Sequence, residues 1–115
     1  MRLNEITYND AKPIDGYGPG FFRIAGQKLD GPVLVLPDGV KSWGGYEDRC
    51  ALAKADVDVI FVGTGAEVAH VPTDFREELE GAGLGVEAMA SPAACRTYNI
   101  LLSEGRRVAL ALLPV

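Results

Sequence analysis

Cys95, Arg96, Thr97 and Asn99 stand within about two turns of a helix start predicted at Ser91 and Pro92. Ser91 is the expected N-cap, since its hydroxyl can accept from an N–H of the first turn. Pro92 suits the first helical position, where its missing N–H costs nothing. A helix N-terminus and a neighbouring guanidinium both depress a thiol pKa, so a reactive thiolate at Cys95 is a chemical option. The competing reading makes Cys95 a small buried hydrophobe facing the sheet. No base or resolving cysteine stands near it, and the second reading is preferred. Arg96 and Asn99, three residues apart, can share a helix face. Arg96 can pair an acid such as Glu87 or meet an anion, and Asn99 can satisfy a loop carbonyl.

The other motif with chemical content is Gly63-Thr64-Gly65 after an apolar run, a fragment of the dinucleotide fingerprint G-x-G-x-x-G. Glu87 follows at about the 20-residue spacing of a ribose-binding acid. Val68 replaces the third glycine, however, and the next helix begins only near Thr73, so no pyrophosphate would sit on a helix N-terminus. The simpler reading is a glycine turn ending a buried strand. The lone His70, before Pro72, leaves little scope for a triad, and neither Cys50 nor Cys95 has a partner at metal-ligand spacing. No catalytic residue, metal or cofactor is expected. A crevice between Gly63, Thr64 and Gly65 and the helix at Ser91, with Cys95, Arg96 and Asn99 on the helix side, is the candidate place for a ligand or partner. Strand carboxyl ends of open α/β sheets form such crevices.

The elements that must position these residues can be read from periodicity and turn chemistry. Residues 1–19 carry Pro13, Gly16, Gly18 and Pro19 and read as an irregular lead-in. Phe21–Ile24 and Gln27–Leu29 form a hairpin around Gly26, which takes a positive φ. Val33–Leu36 is an apolar run of the kind buried on both faces, ended by Pro37-Asp38-Gly39. Trp43–Ala55 is predicted as a helix, with Tyr46, Cys50 and Ala53 on one face. Val57–Val62 is a buried strand. Thr73 caps a helix whose apolar stripe is Phe75, Leu79 and Ala82. Gly85–Met89 is a strand, Ser91 starts a helix stopped by Gly105, and Val108–Leu113 closes the sheet. Alternating strands and helices in the second half require partly parallel pairing. The expectation is a single three-layer α/β domain over 1–115, with a mixed sheet of five strands, three helices and an N-terminal hairpin.

Composition bounds the function. With 48% apolar and 23% charged residues the chain can bury a core and is not a disordered segment. The net charge of −5, with no basic cluster larger than Arg106-Arg107, argues against a nucleic-acid partner. Two cysteines without C-x-x-C fit a reducing compartment. No apolar leader begins the chain and no run approaches a membrane span, so a cytoplasmic protein without membrane insertion is expected. Tyr17, Phe21, Phe22 and Trp43 could form a partly exposed aromatic patch for a protein partner, although such residues are more often core.

Four blocks, taken together and in order, resemble a known family. They are Gly16-Tyr-Gly-Pro-Gly-Phe-Phe-Arg-Ile24; Val33-Leu-Val-Leu-Pro37 with Trp43; Asp58-Val-Ile-Phe-Val-Gly-Thr-Gly65; and Ala94-Cys-Arg-Thr-Tyr-Asn99 with Glu104-Gly-Arg106. Spanning residues 14 to 115, they are similar to a small uncharacterised-domain family that includes the mitochondrial respiratory complex I assembly factor 3 and many bacterial and archaeal proteins of unknown function. The resemblance implies a three-layer α/β fold with a central mixed sheet. It implies no enzyme activity and no catalytic residues. For the mitochondrial members it implies a scaffolding role beside other assembly proteins. The expected function is a non-enzymatic protein-interaction or assembly module; the alternative is a small-molecule, anion or nucleotide binder, or an enzyme, using the crevice described above.

Overall fold

The computed structural model describes residues 12–115. Its first strands form a small antiparallel sheet of β1 (Ile14–Gly18), β2 (Phe21–Ile24) and β3 (Gln27–Asp30). The expected hairpin is β2–β3. Both central residues of its two-residue turn have positive φ, Ala25 at 54° and Gly26 at 79°, the geometry that matches the right-handed twist of the flanking strands. Residues 14–18 correct the reading of an irregular lead-in. Their glycines conceal a strand because Ile14 alone of the five is buried. The remainder of the lead-in before Lys12 lies outside the described residues.

A second sheet has the order β5-β4-β8-β6-β7, built from β4 (Val33–Leu36), β5 (Gly39–Ser42), β6 (Val59–Thr64), β7 (Gly85–Met89) and β8 (Val108–Leu113). β6 pairs in parallel with both β7 and β8, while β4 runs antiparallel to β8 and β5. The mixed, partly parallel five-stranded sheet is as the sequence suggests. β5 is an addition: Pro37-Asp38 is a hairpin turn rather than a terminus, and the chain returns along β4. β6 also runs on through Gly63 and Thr64, which pair with Leu112 and Leu113 of β8. The turn begins at Gly65, at φ +105°.

Among the described residues three helices cover the sheet: α1 (Cys50–Ala53), α2 (Thr73–Gly81) and α3 (Ser91–Ser103). The helix expected over Trp43–Ala55 shrinks to the four residues of α1. Gly45 takes φ +91°, Gly44 N donates to Asp48 Oδ2, and Trp43 Nε1 donates to Asp48 O at 2.7 Å. The chain thus wraps its own tryptophan in a loop, and Cys50 is exposed. On α2, Phe75 and Leu79 are buried but Ala82 lies beyond the helix and is exposed. Thr73 does not cap; it is the first helical residue after Pro72, and its side chain makes no capping bond.

The two faces of the larger sheet have separate cores. One holds Trp43, Leu52, Ile60, Phe75 and Leu79 beneath α1 and α2. The other holds Phe22, Ile24, Phe61, Tyr98 and Leu110 beneath α3 and the small sheet. Three layers result. Phe22 and Trp43 are therefore core, the commoner of the two readings of these aromatic residues. Tyr17 remains exposed, and half-buried Phe21 has the Lys28 ammonium 4.9 Å from its ring centre. No helix among the described residues is long and apolar enough to cross a membrane.

Candidate functional site

The carboxyl ends of β6 and β8 meet the N-terminus of α3 around one hydroxyl. Ser91 is fully buried. Its Oγ accepts from Gly65 N at 2.9 Å and donates to Leu113 O at 2.6 Å, while Ser91 N donates to Gly65 O at 2.8 Å. Gly63 lies directly beneath: a Cβ there would sit 2.6 Å from Ser91 Oγ and 2.9 Å from Ser91 Cα. The helix is seated on the strand at glycine distance, and Ser91 is bonded directly to the 63–65 segment across the boundary where the crevice is expected. Ser91 is also not the N-cap. Ala90, which has no polar side chain to cap with, holds that position, and the Ser91 hydroxyl is bonded to Gly65 and Leu113.

The remaining candidates serve the fold or point away from one another. Thr64 Oγ1 donates to Glu67 O at 2.7 Å and accepts from Ala69 N at 3.0 Å, which folds the 65–69 loop onto the strand end. That internal closure takes the place of a phosphate cradle. Asn99 binds β1 like an adjoining strand: Ile14 N donates to its Oδ1 at 2.8 Å, and its Nδ2 donates to Ile14 O at 2.9 Å. The carbonyl expected for Asn99 is thus that of Ile14, and α3 clamps the small sheet through it. Tyr98 OH adds a bond to Lys12 O at 3.0 Å. Arg96 is exposed and forms no ion pair with another described residue, Glu87 included.

Cys95 is buried against the sheet. Burial pushes its thiol from 9.0 up to about 11, overriding the smaller downward pull of Arg96. A thiol held protonated is a poor nucleophile, so the packing reading describes this residue. Its stabilising contribution is complete below the ordinary thiol value of 9.0 and is lost as pH rises to about 11. Burial raises the Tyr98 phenol in the same sense. Denaturation midpoints should therefore fall as pH rises from about 9 to about 11, with a shallower fall in Cys95→Ala. A wild-type midpoint unchanged to pH 11 would contradict the burial argument.

Sequence reasoning missed a second polar assembly, on the opposite face. Arg49 Nε donates to Tyr46 O at 3.0 Å, and its guanidinium reaches Asp74 and Glu78 of α2 at 3.3 and 3.4 Å. The same group stands 5.6 Å from the Phe75 ring centre, beside Trp43 and Tyr46. It locks the tryptophan loop to α2, and no spacing in the sequence signals it. Among the described residues no cluster of His, Cys, Asp or Glu could hold a metal ion.

A model of the family described as "Protein of unknown function (DUF498/DUF598)" matches residues 14–113. The chain belongs to this family. It is 46% identical over its whole length to an uncharacterized protein of Rhodobacter capsulatus, covering 94% of that relative. It is 36% identical over 110 residues to the NADH dehydrogenase (ubiquinone) 1 alpha subcomplex assembly factor 3 of Danio rerio. That match takes in 88% of this chain and 63% of the assembly factor, so the chain spans less than two thirds of that relative. A crystal structure described as an outer membrane protein from Bartonella henselae has a TM-score of 0.83 at 31% identity, over 93% of this chain and 98% of the other. The family named by the four sequence blocks is thus the one found, and the DUF498/DUF598 fold is the three-layer mixed sheet described above.

Proposed function

We propose that this chain is a non-enzymatic protein-binding module that assists assembly of a respiratory or other membrane-bound complex, acting from the cytoplasm. The observation that carries this reading is the similarity to complex I assembly factor 3 across 88% of the chain. The site geometry agrees with it. Ser91, Thr64 and Asn99, the residues best suited to hold a small ligand, bond to the backbone of their own fold. Cys95 is enclosed and protonated at neutral pH. A protein of this kind acts through its surface, and its specificity lies in what the exposed edges and grooves accept.

The test is capture from the cells that make the protein, with cross-linking before lysis and mass spectrometry of what is retained. Subunits or assembly intermediates of an NADH dehydrogenase should be enriched over a control with the chain unfolded by Gly63→Val. Equal recovery with both, or recovery of no protein at all, would overturn the reading.

A further inference from the structure

β5 is an edge of the five-stranded sheet. The opposite edge, β7, is partly closed by α2, whose Arg76 Nη1 donates to Val86 O at 2.9 Å. On β5 the phase of the ladder can be derived. Trp43 N donates to Pro32 O at 3.0 Å, one step beyond the Val33–Ser42 pair. Bonded and non-bonded pairs alternate in antiparallel strands. Leu34–Lys41 is then a bonded pair, and Val40 and Ser42 turn their N–H and C=O groups outward, away from β4.

Grooves flank this edge on both faces. Val40 packs toward the core beneath α3, whereas Lys41 pairs with Leu34, which faces the core beneath α1. On the Lys41 face a groove of about 490 Å³ runs between the β4–β5 turn and Ala51, Lys54 and Ala55. On the Val40 face a second, of about 260 Å³, is lined by Ile24, Leu29 and Lys12. A strand laid along β5 would send alternate side chains into one groove and the other. Lys41 and Lys54 line the first groove and Lys12 the second. Asp38 and Asp56 also line the first, but Asp56 is bonded to Arg107 at 3.0 Å. A protein of net charge −5 thus gathers three lysines, far apart in sequence, around one strand edge that no described strand covers. The self-pairing register that bonds Val40 to Ser42 of a second copy would set Lys41 against its own copy, which disfavours that arrangement.

From this arrangement we infer that β5 accepts an extended segment of a partner protein by strand addition, the segment alternating acidic and apolar residues. The inference rests on the protein-binding reading and names the surface and the chemistry of the partner. The probe is a fluorescent peptide of alternating glutamate and valine, titrated into the intact chain, with a lysine–valine peptide as control. The acidic peptide should bind, slow hydrogen exchange at the Val40 and Ser42 amides, and leave the Lys41 amide unchanged. Ser42→Pro removes an outward N–H that β4 does not use, so it should melt like wild type while binding roughly tenfold more weakly. Lys41→Glu with Lys54→Glu should also weaken binding roughly tenfold, with the loss shrinking at high salt.

Undiminished binding by a folded Ser42→Pro, or protection of other amides in place of Val40 and Ser42, would overturn the proposal. Val40 and Ser42 amides already protected in the free monomer would assign the edge to the chain's own residues. A dimer in light scattering that Ser42→Pro dissolves would assign it to a second copy. Either result also overturns it. Failure of the peptide, while wild type and Ser42→Pro capture the same cellular partner, would sink this proposal and leave the protein-binding reading intact.

Discussion

Gly63→Ala is expected to destabilise the fold by about 3 kcal/mol, the upper part of the range for overpacking a core. The added methyl would stand 2.6 Å from Leu112 Cδ2 and Ser91 Oγ, and 2.9 Å from Ser91 Cα. A leucine methyl can rotate aside, but the Ser91 backbone is the first turn of α3 and moves only with the helix. Relief therefore means lifting α3 from β6, which stretches both Ser91–Gly65 bonds. Chemical denaturation of Gly63→Ala against Gly81→Ala checks the cause. Gly81 has open space where a Cβ would go, so its substitution should be close to neutral or slightly stabilising. Equal effects at the two sites would show that close packing is not what Gly63 supplies.

Ser91→Ala is expected to cost about 2–3 kcal/mol, because deleting one hydroxyl leaves two backbone groups without their partner. Gly65 N–H loses its acceptor in a buried position, and Leu113 C=O loses a donor at 2.6 Å. Hydrogen exchange should locate the damage: the Gly65 amide should lose protection well before amides in the middle of β6. The Gly63→Ala, Ser91→Ala double variant should be less destabilised than the sum by about 1 kcal/mol, since the first change already disturbs the bonds removed by the second. Strict additivity would mean that the two residues act independently.

These predictions concern stability because Ser91 and Gly63 join helix α3 to the sheet. The sequence placed Gly63, Gly65 and Ser91 near one another, and they do meet. Whether the meeting leaves a gap for a ligand or closes into hydrogen bonds depends on ångström distances between strand and helix, and no spacing along a chain contains those. A serine one residue before a proline has the same signature whether its hydroxyl caps its own helix or reaches a neighbouring strand. Here it does the latter, with Gly65 and Leu113 as partners.

Other differences have similarly local causes. Trp43–Ala55 has helix-compatible spacing, yet Gly44-Gly45 and the indole bond to Asp48 O make most of it a loop. β1 was hidden by glycines, and β5 by a Pro-Asp pair that turns the chain as readily as it ends a strand. Arg49 and the lysines around β5 come from segments with no common motif. Their association exists only after the strands and helices are stacked.

The sequence by itself determined the elements with strong periodicity or sharp punctuation. Val33–Leu36, the body of the Val57–Val62 run (the strand itself is Val59–Thr64), the helix from Ser91 to its Gly105 stop and the closing Val108–Leu113 strand are legible because fully buried strands are continuous apolar runs and helix ends have distinct residue chemistry. Their alternation required a partly parallel sheet, and four ordered blocks were enough to identify the family. Only the tertiary structure decided what the conspicuous polar residues do. It set Ser91 on the sheet, tied Asn99 to Ile14, and buried the Cys95 side chain. Among the described residues it also left the β5 edge unpaired between two grooves, because edge exposure and the meeting of distant charges are properties of packing and not of any local stretch of chain.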